Sequence, residues 1–201
     1  LEAYTVILIG SGALRDYRRR VQIIFQDPYE TMNPKQTIRD FVAEPLTAAA
    51  WEPFGWLPVD DTDPADCAHT LNFEWADPHL NVIAHAAGEV THTEHGLVCE
   101  RMYRHDTHTQ ALTPLNCDAV VAVAPAGVDF SKPGDVATVR AFVLHPLDTL
   151  VLHQGTWHWG PFPVGDEPVR LLNVQGRRYT EDNASVDLAA TAGAAIEVVI
   201  S

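Results

Sequence analysis

The sequence predicts an all-β fold, a sandwich or a barrel, on two observations. Short apolar, β-branched runs recur at 81–84, 98–103, 119–124, 138–144, 149–153 and 169–174. Pro, Gly, Asn and Asp break them at short intervals, which is how strands joined by tight turns read. Helix signals are weak by comparison. Thr47 offers its hydroxyl as the cap of a short amphipathic turn over 47–54, and 135–139 is a shorter possibility. Residues 188–200 read as an Ala-rich helix or loop followed by an edge strand.

Upstream of these runs the chain has a different character. Val21 to Phe25 is apolar and β-branched, a strand candidate. Asp27-Pro28 and Asn33-Pro34 are turn signals. Thr37 is placed to cap a short helix with Ile38, Phe41 and Val42 on one face, ended by Pro45. Charge follows the same division. Residues 1–46 hold six basic and six acidic groups, so the net charge of -14 on the 201-residue chain belongs to the remainder. We read residues 1–43 as an extension and 44–201 as the main domain.

The acidity argues against nucleic acid and against an anionic membrane as partners. Cys67, Cys99 and Cys117 are odd in number and show no CxxC spacing. Buried thiols in a reducing cytoplasm are expected, rather than a disulfide framework or a zinc ribbon. No apolar run approaches the roughly 20 residues of a membrane helix. The apolar stretch from Val6 to Ile9 is too short for a signal-peptide core.

Three patches carry candidate chemistry: Tyr103 to Gln110, Arg140-Ala141-Phe142, and His153 to Trp159. Side chains alternate along a strand, so Tyr103 and His105 are expected on one face. Gln110 lies beyond a turn and can return to that face on the next strand. His158, after a Gly-containing turn, can point into the same barrel mouth. Two imidazoles and an oxygen ligand, His105, His158 and Gln110, suit a divalent Ni, Fe, Mn or Zn ion. Arg140 is a candidate carboxylate anchor, because its planar fork binds carboxylates in bidentate fashion. Tyr103, His153 and His158 are candidate proton-handling groups, with His108 and Trp157 as candidate substrate contacts. His69, His79, His85, His92 and His95 show no ligand spacing and are expected to be solvated, with 85–95 a candidate flap.

Two resemblances follow from these residues. Arg18-Arg19-Arg20-Val21-Gln22-Ile23-Ile24-Phe25-Gln26-Asp27-Pro28-Tyr29 and Asn33-Pro34 resemble the Q-loop region of ATP-binding subunits of peptide-type ABC transporters, over about 14–46. A phosphate-cradling loop needs GxxxxGK[ST]; Gly10-Ser11-Gly12 is followed by Ala13 and Leu14 with no lysine, so no ATP chemistry is expected. The second covers about 44–187. Glu44-Pro45-Leu46-Thr47, Trp51 and Phe54-Gly55, then Arg104-His105, Thr109-Gln110-Ala111 and Pro114, then Val139-Arg140-Ala141-Phe142, then His153, Gly155-Thr156-Trp157-His158 resemble the ureidoglycolate lyases. That resemblance implies a cupin-type double-stranded β-helix, or jelly-roll barrel, commonly dimeric. It also implies a divalent metal, nickel by family attribution, and cleavage of (S)-ureidoglycolate to glyoxylate and urea in allantoin breakdown. The chain departs from the family pattern in three places. Tyr103 stands where an acidic residue is common, Trp159 where a second histidine is common, and Asp106-Thr107-His108 where Pro-Leu-Gly is usual.

Overall fold

A computed structural model describes residues 37–200. Among these residues fifteen strands, numbered in chain order, make three sheets. In the first, β3 (Gly55–Trp56), β11 (Leu150–Leu152), β8 (Gln110–Pro114), β13 (Val169–Gly176) and β4 (Pro78–His85) lie side by side in that order. In the second the order is β14 (Ala184–Asp187), β7 (Arg101–Arg104), β12 (Trp157–Pro163), β9 (Ala119–Ala124), β10 (Arg140–Leu144) and β2 (Glu44–Pro45). The third holds β1 (Thr37–Val42), β15 (Ala194–Val199), β6 (Gly96–Cys99) and β5 (Thr91–His92). Two short helices, α1 (Ala48–Trp51) and α2 (Leu188–Ala192), complete it.

Burial explains the layering. Along β8 and β13, alternate residues are buried, so Leu112, Leu171 and Val169 point inward against Val121, Val123, Phe142 and Leu144 of the facing sheet. Trp51 and Phe54 plug one end of this interior, their rings within 6.0 Å of Phe142 or of each other. The Trp51 indole N–H donates to the Val151 carbonyl at 3.0 Å, so burial leaves no polar group unmet. β9 is buried on both faces, because the third sheet and α2 cover its back. That back face uses small side chains, Ala122 and Ala124, against Trp157, Trp159, Ile196 and Leu188. The result is the cupin-type jelly-roll, with few helices. Thr47 caps α1 as expected, accepting from the Ala50 amide.

Three readings of the sequence need correction. Residues 37–42 form a strand, not a helix: β1 pairs in parallel with β15, and this pairing overrides the local helical pattern. β15 is therefore flanked by β1 and β6 and is not an edge. The run at 98–103 is two strands: the chain breaks at Glu100 and passes from the third sheet to the second. The expected strand at 21–25, the glycines at 10–12 and the Q-loop-like stretch before residue 37 lie outside the described residues. Among the described residues, no helix is long and apolar enough to cross a membrane.

Candidate functional site

The barrel interior turns from apolar to polar toward one end. On β8 the inward positions run Leu112 then Gln110; on β13 they run Leu171, Asn173, Gln175. At that end β7 stops at Arg104, so His105 leaves the sheet as the chain turns toward β8. His158 enters from β12, one strand away. His105, His108, Gln110, Leu152, His153, Thr156 and His158 together line a narrow recess with no room for a water molecule. The His105 ring lies 4.6 Å from that of His108, nearly parallel, and 5.4 Å from that of His158.

Three of the four imidazoles have Nδ1 against an oxygen. His105 Nδ1 meets the Asp182 carbonyl at 2.9 Å, and His158 Nδ1 meets the Thr156 carbonyl at 3.2 Å. His108 Nδ1 lies 3.3 Å from the Asp182 carboxylate, while its buried Nε2 has no protein partner. A ring whose Nδ1–H is held by an oxygen keeps Nε2 as a lone-pair donor, the usual condition of a metal-binding histidine. Gly176 makes room for His108: a Cβ there would sit 2.8 Å from Nδ1.

Electrostatics keep the rings neutral. Burial pushes His158 down to about 3, with the neighbouring His105 adding to the effect. Burial, then His105, pushes His108 down to about 4. Burial also lowers His105, against the opposing pull of Asp182. Burial alone would raise the Asp182 carboxyl, but hydrogen bonds from Thr107 and Asp106 outweigh it and hold it below its ordinary value.

A chain of amides orients Gln110. Its Nε2 donates to Asn173 Oδ1 at 2.9 Å and to Gln175 Oε1 at 3.3 Å, and Asn173 Nδ2 donates on to Asn81 Oδ1 at 2.8 Å. Both protons are thereby used, which leaves Gln110 Oε1 buried without a partner. The donor types lining this cavity, three neutral imidazoles and one unused amide oxygen, suit a borderline divalent cation; the ligand atoms within 4.8 Å of one another are those of His105, His108 and Asp182.

A sequence model of the ureidoglycolate lyases matches residues 38–192, more than half of the chain. The chain belongs to the ureidoglycolate lyase family. Other likenesses are narrower. The glutathione import ATP-binding proteins GsiA of Escherichia coli (strain K12) and Shigella flexneri are 50% identical to it over 38 residues. That match is 19% of this chain, and the chain spans 6% of their length. Among solved structures, L-ribose isomerase of Cellulomonas parahominis is 16% identical, with a TM-score of 0.38 over 72% of this chain and 71% of its own. Oxalate decarboxylase of Lactobacillus farciminis is 14% identical, with a TM-score of 0.37 over 60% of this chain and 31% of its own.

Within this family member the structure gathers His105, Gln110 and His158 around one cavity, and it adds His108. His153 sits at the rim, bordering both this cavity and an outer one of about 430 Å³ where its ring meets Trp56. Burial, then His69, lowers its pKa. Three candidates lie elsewhere. Tyr103 pairs across the sheet with His158, but the strand ends before His105, and Tyr103 borders a separate cavity with Glu89 and Trp159. Arg140 is not available as an anchor: its guanidinium forms a two-point pair with Glu44, donates to the Ala50 carbonyl and lies over the Phe142 ring. Trp157 faces the opposite core, donating from its indole to the Val128 carbonyl beneath Arg104.

The supposedly solvated histidines also differ among themselves. His69 stacks on Trp56, and His85 on β4 packs against Phe162 with its Nδ1 buried. The candidate flap contains a single 3₁₀ turn, Ala87–Glu89, and β5. Cys99 is buried, with its thiol pushed up by desolvation, but Cys67 is exposed.

The residue that sequence reading missed is Asp182. With His105 and His108 it makes a group whose possible ligand atoms lie within 4.8 Å of one another. It comes from the turn after β13, far along the chain, and no spacing rule links it to the histidines. The packing of residues 72–77 against His108 and Thr109 was also missed. Phe73 bridges and stacks against His108, the Asn72 amide donates to Thr109 Oγ1, and Trp75 lies under Arg178, which pairs with Asp77.

Proposed function

We propose that this chain is a carbon–nitrogen lyase that splits ureidoglycolate into glyoxylate and urea, working with a divalent metal. The observation that carries the proposal is the convergence of three neutral histidines and the unpartnered Gln110 Oε1 on one cavity. The Nε2 atoms of His105, His108 and His158, with Gln110 Oε1, would hold the ion; nickel is the family's attribution. Bound there, a divalent ion supplies Lewis acidity toward an α-hydroxy carboxylate and lowers the hydroxyl pKa.

The chain's own groups do the rest. Ureidoglycolate is a carbinolamide, so cleavage needs a base for its hydroxyl proton and an acid for the departing nitrogen. His153 stands exposed at the rim and its lowered pKa keeps it neutral, which suits both tasks in turn. It takes the hydroxyl proton; the O–H electron pair becomes the second bond of the aldehyde carbonyl. The C–N pair leaves on nitrogen, which receives the proton back from His153 and departs as urea. The Gln110–Asn173–Asn81 amides hold Gln110 still.

The test is release of urea and glyoxylate by purified protein with added nickel, manganese, iron or zinc. No turnover with any of them counts against the proposal. One observation favours a second reading, a non-catalytic binder of small anions: Tyr103 and Trp159, which replace the family's acidic residue and histidine, border a separate cavity instead of the histidine cluster. Thermal stabilisation by small hydroxy acids without turnover would select that reading. We place the protein in the cytoplasm as a homodimer on the family's example.

A further inference from the structure

Asp182 makes five polar contacts to the segment that carries two of the cavity histidines. Its main-chain carbonyl accepts from His105 Nδ1 at 2.9 Å. Its Oδ1 accepts from the Asp106 amide at 3.0 Å. Its Oδ2 accepts from the Thr107 amide at 2.8 Å and from the Thr107 hydroxyl, and lies 3.3 Å from His108 Nδ1. The side chain is 8% exposed. It does not border the histidine cavity; His105 and His108 stand between.

Two roles compete for such a carboxylate. As a ligand it would bind the ion together with the two rings, which the short separations alone would permit. The lone pairs decide against this. Oδ2 already accepts two hydrogen bonds, from the Thr107 amide and hydroxyl, with His108 Nδ1 at 3.3 Å from it and 3.4 Å from Thr107 Oγ1, and an ion on that side would have to displace these donors and compete for Nδ1 atoms already engaged. The atoms left without a partner, His108 Nε2 and Gln110 Oε1, belong to residues that line the cavity, and Asp182 does not line it.

We infer that Asp182 is a positioning residue: its carbonyl and its carboxylate hold His105 and His108 in the tautomer protonated at Nδ1, so that both Nε2 lone pairs face the cavity. This rests on the metal-centre reading above only for the consequence, not for the tautomers. A metal-binding ring is commonly oriented by an oxygen behind it, and removing that oxygen costs about 10–100-fold in metal affinity. The assignment uses one residue through two different groups, and they separate in an experiment. Asp182→Asn weakens the acceptor for His108 and leaves the main-chain acceptor of His105 in place.

The test uses the full chain, metal-free and labelled with ¹⁵N-histidine. Long-range ¹H–¹⁵N spectra of the wild type should show both rings protonated at Nδ1; an Nε2 proton on either overturns the inference, whether or not any variant folds. In Asp182→Asn the His108 signals should move to a mixture of tautomers while those of His105 stay, and calorimetric affinity for Ni²⁺ should fall about 10–100-fold. Unchanged His108 signals in that variant overturn the inference. So does loss of all Ni²⁺ binding with both tautomers intact, which would make Asp182 a ligand. Wild-type protein with the expected tautomers and no affinity for Ni²⁺ would remove the metal from the proposed function while leaving the positioning role standing.

Discussion

Acid should destabilise the metal-free protein steeply, because folding keeps histidines neutral that the unfolded chain would charge. In the unfolded chain His108 and His158 titrate near their ordinary value of about 6.5. Folded, burial first and the facing His105 second hold them down to about 4 and about 3. Between these limits the unfolded state binds a proton that the folded state does not, so stability is full above about pH 6.5 and falls as the pH drops. Each unit of pH below about 6.5 costs about 1.4 kcal/mol per ring, so at about pH 5 the two together cost about 4 kcal/mol. A domain has only about 5–15 kcal/mol in total. The loss from His108 flattens near pH 4, where the folded ring takes up its own proton. Urea unfolding of EDTA-treated protein at a series of pH values measures this. His108→Gln should remove about half of the slope whatever it does to the stability at neutral pH. A free energy that stays level between neutral pH and about pH 5 would falsify the picture of neutral packed rings.

Other outcomes follow from the same contacts. His158→Ala should abolish Ni²⁺ binding in calorimetry with the β-sheet circular dichroism unchanged; retained binding would move the ion elsewhere. Arg140→Ala should lower stability by about 1 kcal/mol, since its pair with Glu44 is partly screened by solvent, and leave kcat/KM within about threefold of wild type. A hundredfold kinetic loss would return Arg140 to the site as an anchor. Gly55→Ala should be severe, because a Cβ there would lie 1.7 Å from the Val151 carbonyl where β3 meets β11; a melting temperature equal to wild type would contradict that packing. Arg178→Ala removes the cation stacked on Trp75 and the partner of Asp77, so amides of residues 72–76 should exchange faster, which hydrogen-exchange mass spectrometry reads segment by segment. Unchanged protection there would refute the role of Arg178 and leave the segment held by its hydrogen bonds to Thr107 and Thr109.

The strands were legible where a local rule decides them. β9 is an unbroken apolar run because both its faces are buried, and β13 alternates because only one face is. β1 was not legible: Ile38, Phe41 and Val42 have helical spacing, and only the distant β15 makes them a strand. In the site, His105 and Gln110 were visible as a pair flanking one turn, and His158 as a histidine after a glycine turn. Arg140 and Trp157 looked equally eligible. Their exclusion depends on Glu44 and Val128, partners that arrive from separate strands and loops.

What the sequence by itself determined was the all-β class, the turn positions and the residue types able to bind an ion, since alternation, turn chemistry and ligand softness are local properties. What the tertiary structure decided was which side chains converge, which ring nitrogens are free and what sits behind them. Those are set by packing between segments remote in the chain. Asp182 illustrates the difference: nothing in its neighbourhood marks it, yet the turn after β13 delivers it to the Nδ1 side of two histidines.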